Sequence, residues 1–244
     1  MSVSAFMDTF KEKTDWKKIA ENKAKRMTKE GTPTTGAQLI KQWNKKRDES
    51  SKVGTILHTI KENDLLDEQS PSYYGSIFKT KATHTYLDGK HSIPINELEN
   101  DTIYPELMIF NEHLCGQADK VIVQKKYINI WDYKTDKEIK YKGYSNQWTK
   151  PKKLLAPLSH LDECSANIYS LKMSLYMYML WKANKGRYAP GELIIEHVSL
   201  KRDPDNDDIP VLDQNGRPIV LKIEQIKLPY RKKEVEAMLA ILKK

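Results

Sequence analysis

The chain has 244 residues, 39% apolar and 30% charged, and its 41 Lys+Arg against 33 Asp+Glu leave a net charge of +8. That length can bury a core without disulfide staples, ordinary Gly and Pro contents exclude collagen-like and low-complexity readings, and no run approaches the 18 uncharged apolar residues of a membrane-spanning helix. Two cysteines, Cys115 and Cys164, cannot build a four-thiolate zinc site or an iron–sulfur cluster, and the positive excess suits a polyanionic partner such as nucleic acid.

Residues 1–50 read as a helical N-terminal arm. Within it residues 1–34 are dense in charge, and Phe6, Phe10, Trp16 and Ile19 form only a weak stripe, so a solvated, loosely packed arm is expected in preference to a DNA-binding one. Its first residues lack an apolar signal core. Both thiols are therefore expected free, in a reducing, cytoplasmic compartment. Thr35 to Lys46 reads as a helix with Leu39, Ile40 and Trp43 on one face. After Gly54 a further helical run, TILHTIKENDLL, puts His58 and Glu62 four apart on one face. Tyr73, Tyr74, Tyr86 and the turn Asp88-Gly89 suggest loop and a short hairpin.

From Thr102 the text changes to three strand-like runs, TIYPELMIF, HLCGQADKVIV and KYINIWDYKT. Residues 137–160 return to loop. LDECSANIYSLKMSLYMYMLWKA predicts a long helix ended by Asn184 and Gly186. GELIIEHVSLK and VLKIEQI predict strands, and Arg231 to Lys244 a helix with Val235, Met238, Leu239 and Leu242 on one side. Asp203, Asp205, Asp207 and Asp208 lack the Gly and Glu of a calcium loop and read as a solvated turn. With no repeats and no Gly/Ser-rich linker, the expectation is one domain over 1–244, with a core at 54–180 and closing strands and helix at 190–244.

The most informative segment is GQADKVIVQKKYINIWDYK. A hairpin with Lys125-Lys126 as its loop pairs residues whose numbers sum to 251, so Val123 faces Ile128, Val121 faces Ile130 and Asp119 faces Asp132. Side chains alternate along strands. Asp119, Val121 and Val123 then share a face with Ile128, Ile130, Asp132 and Lys134, apolar except where two carboxylates and an ammonium converge. Two carboxylates so placed are costly unless something cationic lies between them. Lys134, a divalent metal or a shared proton could serve, and so could a plain Asp119–Lys134–Asp132 salt-bridge trio. A Lys-Lys loop is a poor two-residue turn, which favours Asn, Asp or Gly.

Gly116-Gln117-Ala118-Asp119 followed by Asp132-Tyr133-Lys134-Thr135 resembles the core of the PD-(D/E)xK nuclease superfamily, in its RecB-like branch of phage and bacterial exonucleases. Gly54 to Glu62 is similar to that branch's G-x-x-x-H-x-x-x-E helix, and Glu106 stands where the branch often has an acid. Lys172-Met173-Ser174-Leu175-Tyr176 resembles its Q-x-x-x-Y motif, with Lys172 where Gln is usual. The resemblance spans about residues 54–180. It implies an α/β, restriction-endonuclease-like core with a mixed central sheet flanked by helices.

It also implies a Mg²⁺- or Mn²⁺-dependent deoxyribonuclease, most simply an exonuclease of phage or bacterial recombination, repair or replication. The metal ligands are then His58, Glu106, Asp119, Asp132 and the Tyr133 carbonyl, and Lys134 is the catalytic lysine. DNA is the expected partner, as double-stranded ends or single strands, together with phage or host recombination proteins; no membrane and no iron–sulfur cluster are expected. Lys137, Lys140, Lys142, Lys150, Lys152 and Lys153, with Tyr141, Tyr144 and Trp148 among them, are candidates for a nucleic-acid clamp, with Lys172 and Tyr176 beside them; a solvated loop is the other reading. A non-cutting nucleic-acid binder of the same fold, an endonuclease and a structural protein are the remaining alternatives.

Overall fold

The computed structural model describes residues 1–66, 79–80, 98–147, 149–204 and 209–243. The expectations at Tyr73, Tyr74, Tyr86, Asp88-Gly89, Trp148 and Asp205 to Asp208 lie outside them. The first helix, α1 (Val3–Asp8), is capped by Ser2, whose hydroxyl accepts from the Ala5 amide. It is not part of a loose arm. Val3, Phe6, Met7 and Phe10 are buried in the main core, whereas Trp16 and Ile19 are exposed. The weak stripe therefore mixed core residues with surface ones. Helix α2 (Trp16–Lys29) starts at Asp15, whose carboxylate accepts from the Lys18 amide. Helix α3 (Gly36–Leu66) is continuous where two helices were expected. Gly54 falls inside it, at a cost of about 0.5–1 kcal/mol relative to Ala, rather than ending it.

Contacts divide the chain into two compact units where the sequence reads as one domain. One comprises Glu12–Leu57 and Leu200–Leu221, with Ala20, Ala24 and Leu39 at its centre and Met27, Ile40 and Trp43 packed on them. The other comprises Met1–Lys11, His58–Ser199 and Lys222–Lys244 and carries every candidate catalytic residue.

The sheet runs β1 (Lys79–Thr80), β2 (Thr102–Phe110), β3 (Cys115–Gln124), β4 (Tyr127–Lys134), β5 (Ala189–Leu200) and β6 (Val220–Leu228), neighbours in that order. It is mixed: β1 is parallel to β2, β2–β3–β4 are antiparallel, and β5 is parallel to β4. A parallel step needs a crossover, usually a helix, and α4 (Ser165–Ala183) provides it. Helix α5 (Lys232–Leu239) and a 3-10 turn, Ala240–Lys243, close the chain, with Val235 and Met238 buried as the sequence implied.

Residues on the central strands alternate between two cores. Val121, Val123, Ile128, Ile130, Leu193 and Ile195 join the core that includes α4's Leu171, Leu175, Met179 and Leu180. Their neighbours Ile122, Trp131 and Ile194 pack on the other face with Ile103 and Leu65 of α3. Helices on both faces explain why β3 and β4 read as nearly continuous apolar runs.

Candidate metal centre

The hairpin has the register that the sequence suggested, with pairs from Gln124↔Tyr127 through Val123↔Ile128 and Val121↔Ile130 to Lys120↔Trp131. Lys125 and Lys126 are its loop, at φ +49° and +66°. Both central residues are left-handed, as a type I′ turn requires, although neither is a residue that favours it. Asp119 and Asp132 follow immediately on the two strands, and both are buried.

Strand β2 brings the third acid. Pro105 pairs with Lys120 and Leu107 with Ala118, which sets Glu106 opposite Asp119. Glu106 has φ +50° in mid-strand, a strained conformation for a residue with a Cβ, of order 1–3 kcal/mol and typical of functional sites. Its carbonyl accepts from the Gln117 side chain at 3.1 Å. His58 arrives from the last part of α3. Its Nδ1 lies 3.3 Å from Glu106 Oε1 and 3.6 Å from Asp119 Oδ2, and its ring stands edge-on to Tyr133. One ligand atom from each of His58, Glu106 and Asp119 falls within 4.8 Å of the others. Two carboxylate oxygens and one imidazole on rigid elements could hold a divalent ion.

Asp132 stands beside this trio but faces cations of the protein. The Lys134 ammonium is against Oδ2 and the Lys172 ammonium is 3.6 Å from Oδ1. The Tyr133 carbonyl, an expected metal ligand, accepts from Lys134 Nζ at 3.0 Å, while the Tyr133 amide donates to Asp119 Oδ2 at 2.7 Å. Of the expected Asp119–Lys134–Asp132 trio the Lys134–Asp132 pair forms, with Lys172 added, while His58 lies against Glu106 and Asp119.

The electrostatics separate the two aspartates. Burial, followed by the charge of Asp132, pushes the Asp119 carboxyl up to about 7. Burial opposes ionisation of Asp132 as well, but the Lys134 and Lys172 ammoniums outweigh it and hold this carboxyl below its usual range. Burial lowers the His58 imidazole, yet its hydrogen bond to Glu106 and the charge of Asp119 raise it overall.

Helix α4 supplies the opposite wall. Tyr176 is buried, and a Cβ on Gly116 would come within 2.5 Å of its hydroxyl. The glycine of the G-x-x-D segment is thus required by the tyrosine of the helix motif. Lys172 lies one turn before Tyr176. Tyr169, one turn earlier again, has Lys134 Nζ 5.1 Å from its ring centre and donates to Asp136 Oδ2 at 2.5 Å. Tyr169 was missed, although its spacing from Lys172 and Tyr176 puts it on the same helix face.

The basic loop is less uniform than its composition. Lys152 pairs with Glu163 at 3.0 Å and Lys153 with Asp162 at 2.5 Å, so these two close a loop on itself. Lys140 lies 3.4 Å from Glu138 with both side chains exposed. Lys140 and Lys142, with Tyr144, Asp136 and Tyr169, line a cleft of about 690 Å³. Lys137 and Lys150 belong to the same loop but not to that cleft's wall. Tyr141 and Tyr144 are strongly exposed. Compared with protein-family models, with curated proteins and with solved structures, the chain matches none.

Proposed function

We propose that the chain is a divalent-metal-dependent nuclease of the PD-(D/E)xK type, with a restriction-endonuclease-like core, that hydrolyses DNA phosphodiester bonds as an exonuclease. The observation that carries this reading is the meeting of His58, Glu106 and Asp119, from three separate elements, beside Lys134, with Glu106 strained in mid-strand to take part. Such strain persists only where the surrounding fold over-determines it.

His58, Glu106 and Asp119 would hold the ion, with Asp132 next to them. A bound Mg²⁺ or Mn²⁺ polarises a phosphate oxygen and lowers the pKa of its water. A cation held there would favour the ionised form of the Asp119 carboxyl. Lys134, fixed between the Asp132 carboxylate and the Tyr133 carbonyl, orients the attacking water and faces charge developing on the phosphate. Lys172 adds a second ammonium on the helix side. The cleft beyond Tyr169, with Lys140, Lys142 and the exposed Tyr144, offers cations for phosphates and an aromatic face for an unpaired base.

The test is cleavage of linear, circular and single-stranded DNA with Mg²⁺, Mn²⁺ or EDTA. The expected result is metal-dependent cutting of linear DNA that spares circles and falls at least about 100-fold in Asp119→Ala and Lys134→Ala. Cutting in EDTA, or at an undiminished rate in both variants, contradicts the reading. Salt-sensitive binding with no cutting in any metal would mark a silent binder instead.

A further inference from the structure

We propose that the unit made of Glu12–Leu57 and Leu200–Leu221 carries its own site for single-stranded nucleic acid, on one flank of α2. Trp16 stacks on an unpaired base there, and Lys23 and Arg26 hold backbone phosphates. The site lies outside the unit that carries the candidate catalytic residues, so it goes beyond the metal-dependent reading and does not rest on it.

Charge is the first observation. Residues 12–57 hold twelve Lys and Arg against six Asp and Glu, so they account for six of the chain's eight net positive charges. The acids among them are largely engaged. Asp15 caps α2 by accepting from the Lys18 amide at 2.9 Å, and Asp48 and Glu49 pair with Arg47 and Lys45 at 2.9 and 3.8 Å. Glu30 lies 3.7 Å from Arg26 with both side chains well exposed, a pair of little net worth that a phosphate readily replaces. A polyanion is the complement of such a surface.

The second observation is an indole that the core does not use. Helix α2 turns Ala20 and Ala24 onto Leu39 of α3, and Trp16, Ile19, Lys23 and Arg26 follow one another at helical spacing along a neighbouring stripe. Trp16 is 62% exposed and Ile19 43%. Trp16 is nonetheless held in place: Trp43 meets it edge-on, with ring centres 6.2 Å apart and planes at 69°, and Lys23 Nζ lies 5.6 Å from the centre of the Trp43 ring. A ring already fixed by an aromatic pair costs little further entropy when a ligand stacks on it. One fixed indole beside two exposed cations offers a face for a base and charges for the phosphates on either side of it. A duplex hides its base faces between stacked pairs, and a bilayer would require the apolar stripe of α2, which α3 covers.

Binding of a fluorescein-labelled oligothymidylate, followed by anisotropy across a salt series in EDTA, tests the proposal without relying on cleavage. A Lys140→Ala/Lys142→Ala background silences the cleft of the other unit. In that background the oligonucleotide is expected still to bind and to quench tryptophan fluorescence. Trp16→Leu should weaken binding at least about 5-fold, whereas Trp16→Tyr, which keeps an aromatic face, should retain most of it. Lys23→Gln/Arg26→Gln should lower the salt slope of log K by about 1.4, as two single-strand phosphates require. Lys17→Gln/Lys25→Gln, which removes the same charge from other stripes of α2, should leave that slope nearly unchanged. Every substituted side chain on α2 is exposed, and melting curves verify that each variant is folded. No binding in the Lys140→Ala/Lys142→Ala background, undiminished binding in a folded Trp16→Leu, equal slopes in the two charge variants, or tighter binding of duplex ends or of phosphatidylglycerol vesicles overturns the proposal. Each of these results leaves metal-dependent cutting to be decided by the cleavage assay.

Discussion

On the proposed reading Asp119 is the central ligand, and its titration has a definite sign. An unfolded aspartate titrates at about 3.9, and in the fold this carboxyl is pushed up to about 7 by burial and by Asp132. The native state therefore holds this proton more tightly than the unfolded state does. Its contribution to stability is fully present below about pH 4 and is lost as pH rises towards 7. Asp132 works in the opposite sense, since its lowered carboxyl contributes above the unfolded value and loses that contribution in acid. In EDTA, stability against pH between 4 and 7 should fall less steeply in Asp119→Asn than in the wild type. Mg²⁺ should raise the melting temperature of the wild type more at pH 7.5 than at pH 5.5. Equal slopes in chemical denaturation would show that Asp119 is not the perturbed group. Gly116 gives a second test at this scale. A Cβ there meets Tyr176 Oη at 2.5 Å and Cε1 at 2.7 Å, and the buried ring cannot withdraw. Gly116→Ala should cost about 1–3 kcal/mol, as overpacking does, read from the same denaturation curves.

At the scale of elements, the β3–β4 hairpin was legible because alternation and register are tied. Once Val121 and Ile130 share a core face, the positions of Asp119 and Asp132 follow. The loop was the weak point of that reading, and it is the weak point of the element. Lys125 and Lys126 hold φ +49° and +66°, where Gly and Asn are favoured. Replacing them with Asn-Gly, which adopt φ > 0 at less cost, should raise stability by about 1 kcal/mol, and an unchanged or lower melting temperature would contradict the turn assignment. Other features could not be read locally. Gly54 looked like a boundary, but α3 runs through it. Phe6 and Phe10 looked like part of a solvated stripe, but the sheet gives them a core that the first fifty residues alone do not contain. Glu106 was legible as an acid in the right order along the chain, while its left-handed backbone was not, because that conformation is imposed by the pairing of β2 with β3. The approach of Lys172 to Asp132 was not legible for a similar reason, since it depends on how α4 crosses the sheet.

Across the whole molecule, the net charge of +8 says only that a polyanion is welcome, and the structure distributes that excess unequally. Lys152 and Lys153 are committed to Glu163 and Asp162, whereas Lys140 and Lys142 line the cleft beyond the Lys134–Tyr169 contact. Lys140→Ala and Lys142→Ala should each weaken DNA binding and reduce the salt dependence of log K by about one ion. Lys152→Ala should lower the melting temperature and leave that salt slope unchanged. Fluorescence anisotropy across a salt series distinguishes the two groups, and equal slopes for all three variants would contradict the division. The central claim is that His58, Glu106 and Asp119 converge to hold a divalent ion. A crystal of the protein soaked in Mn²⁺ tests it most directly, by an anomalous difference map. The account predicts a strong peak between His58 Nδ1, Glu106 Oε1 and Asp119 Oδ2. A map with no peak there, or with the metal elsewhere while the three side chains stay as they are, would contradict it.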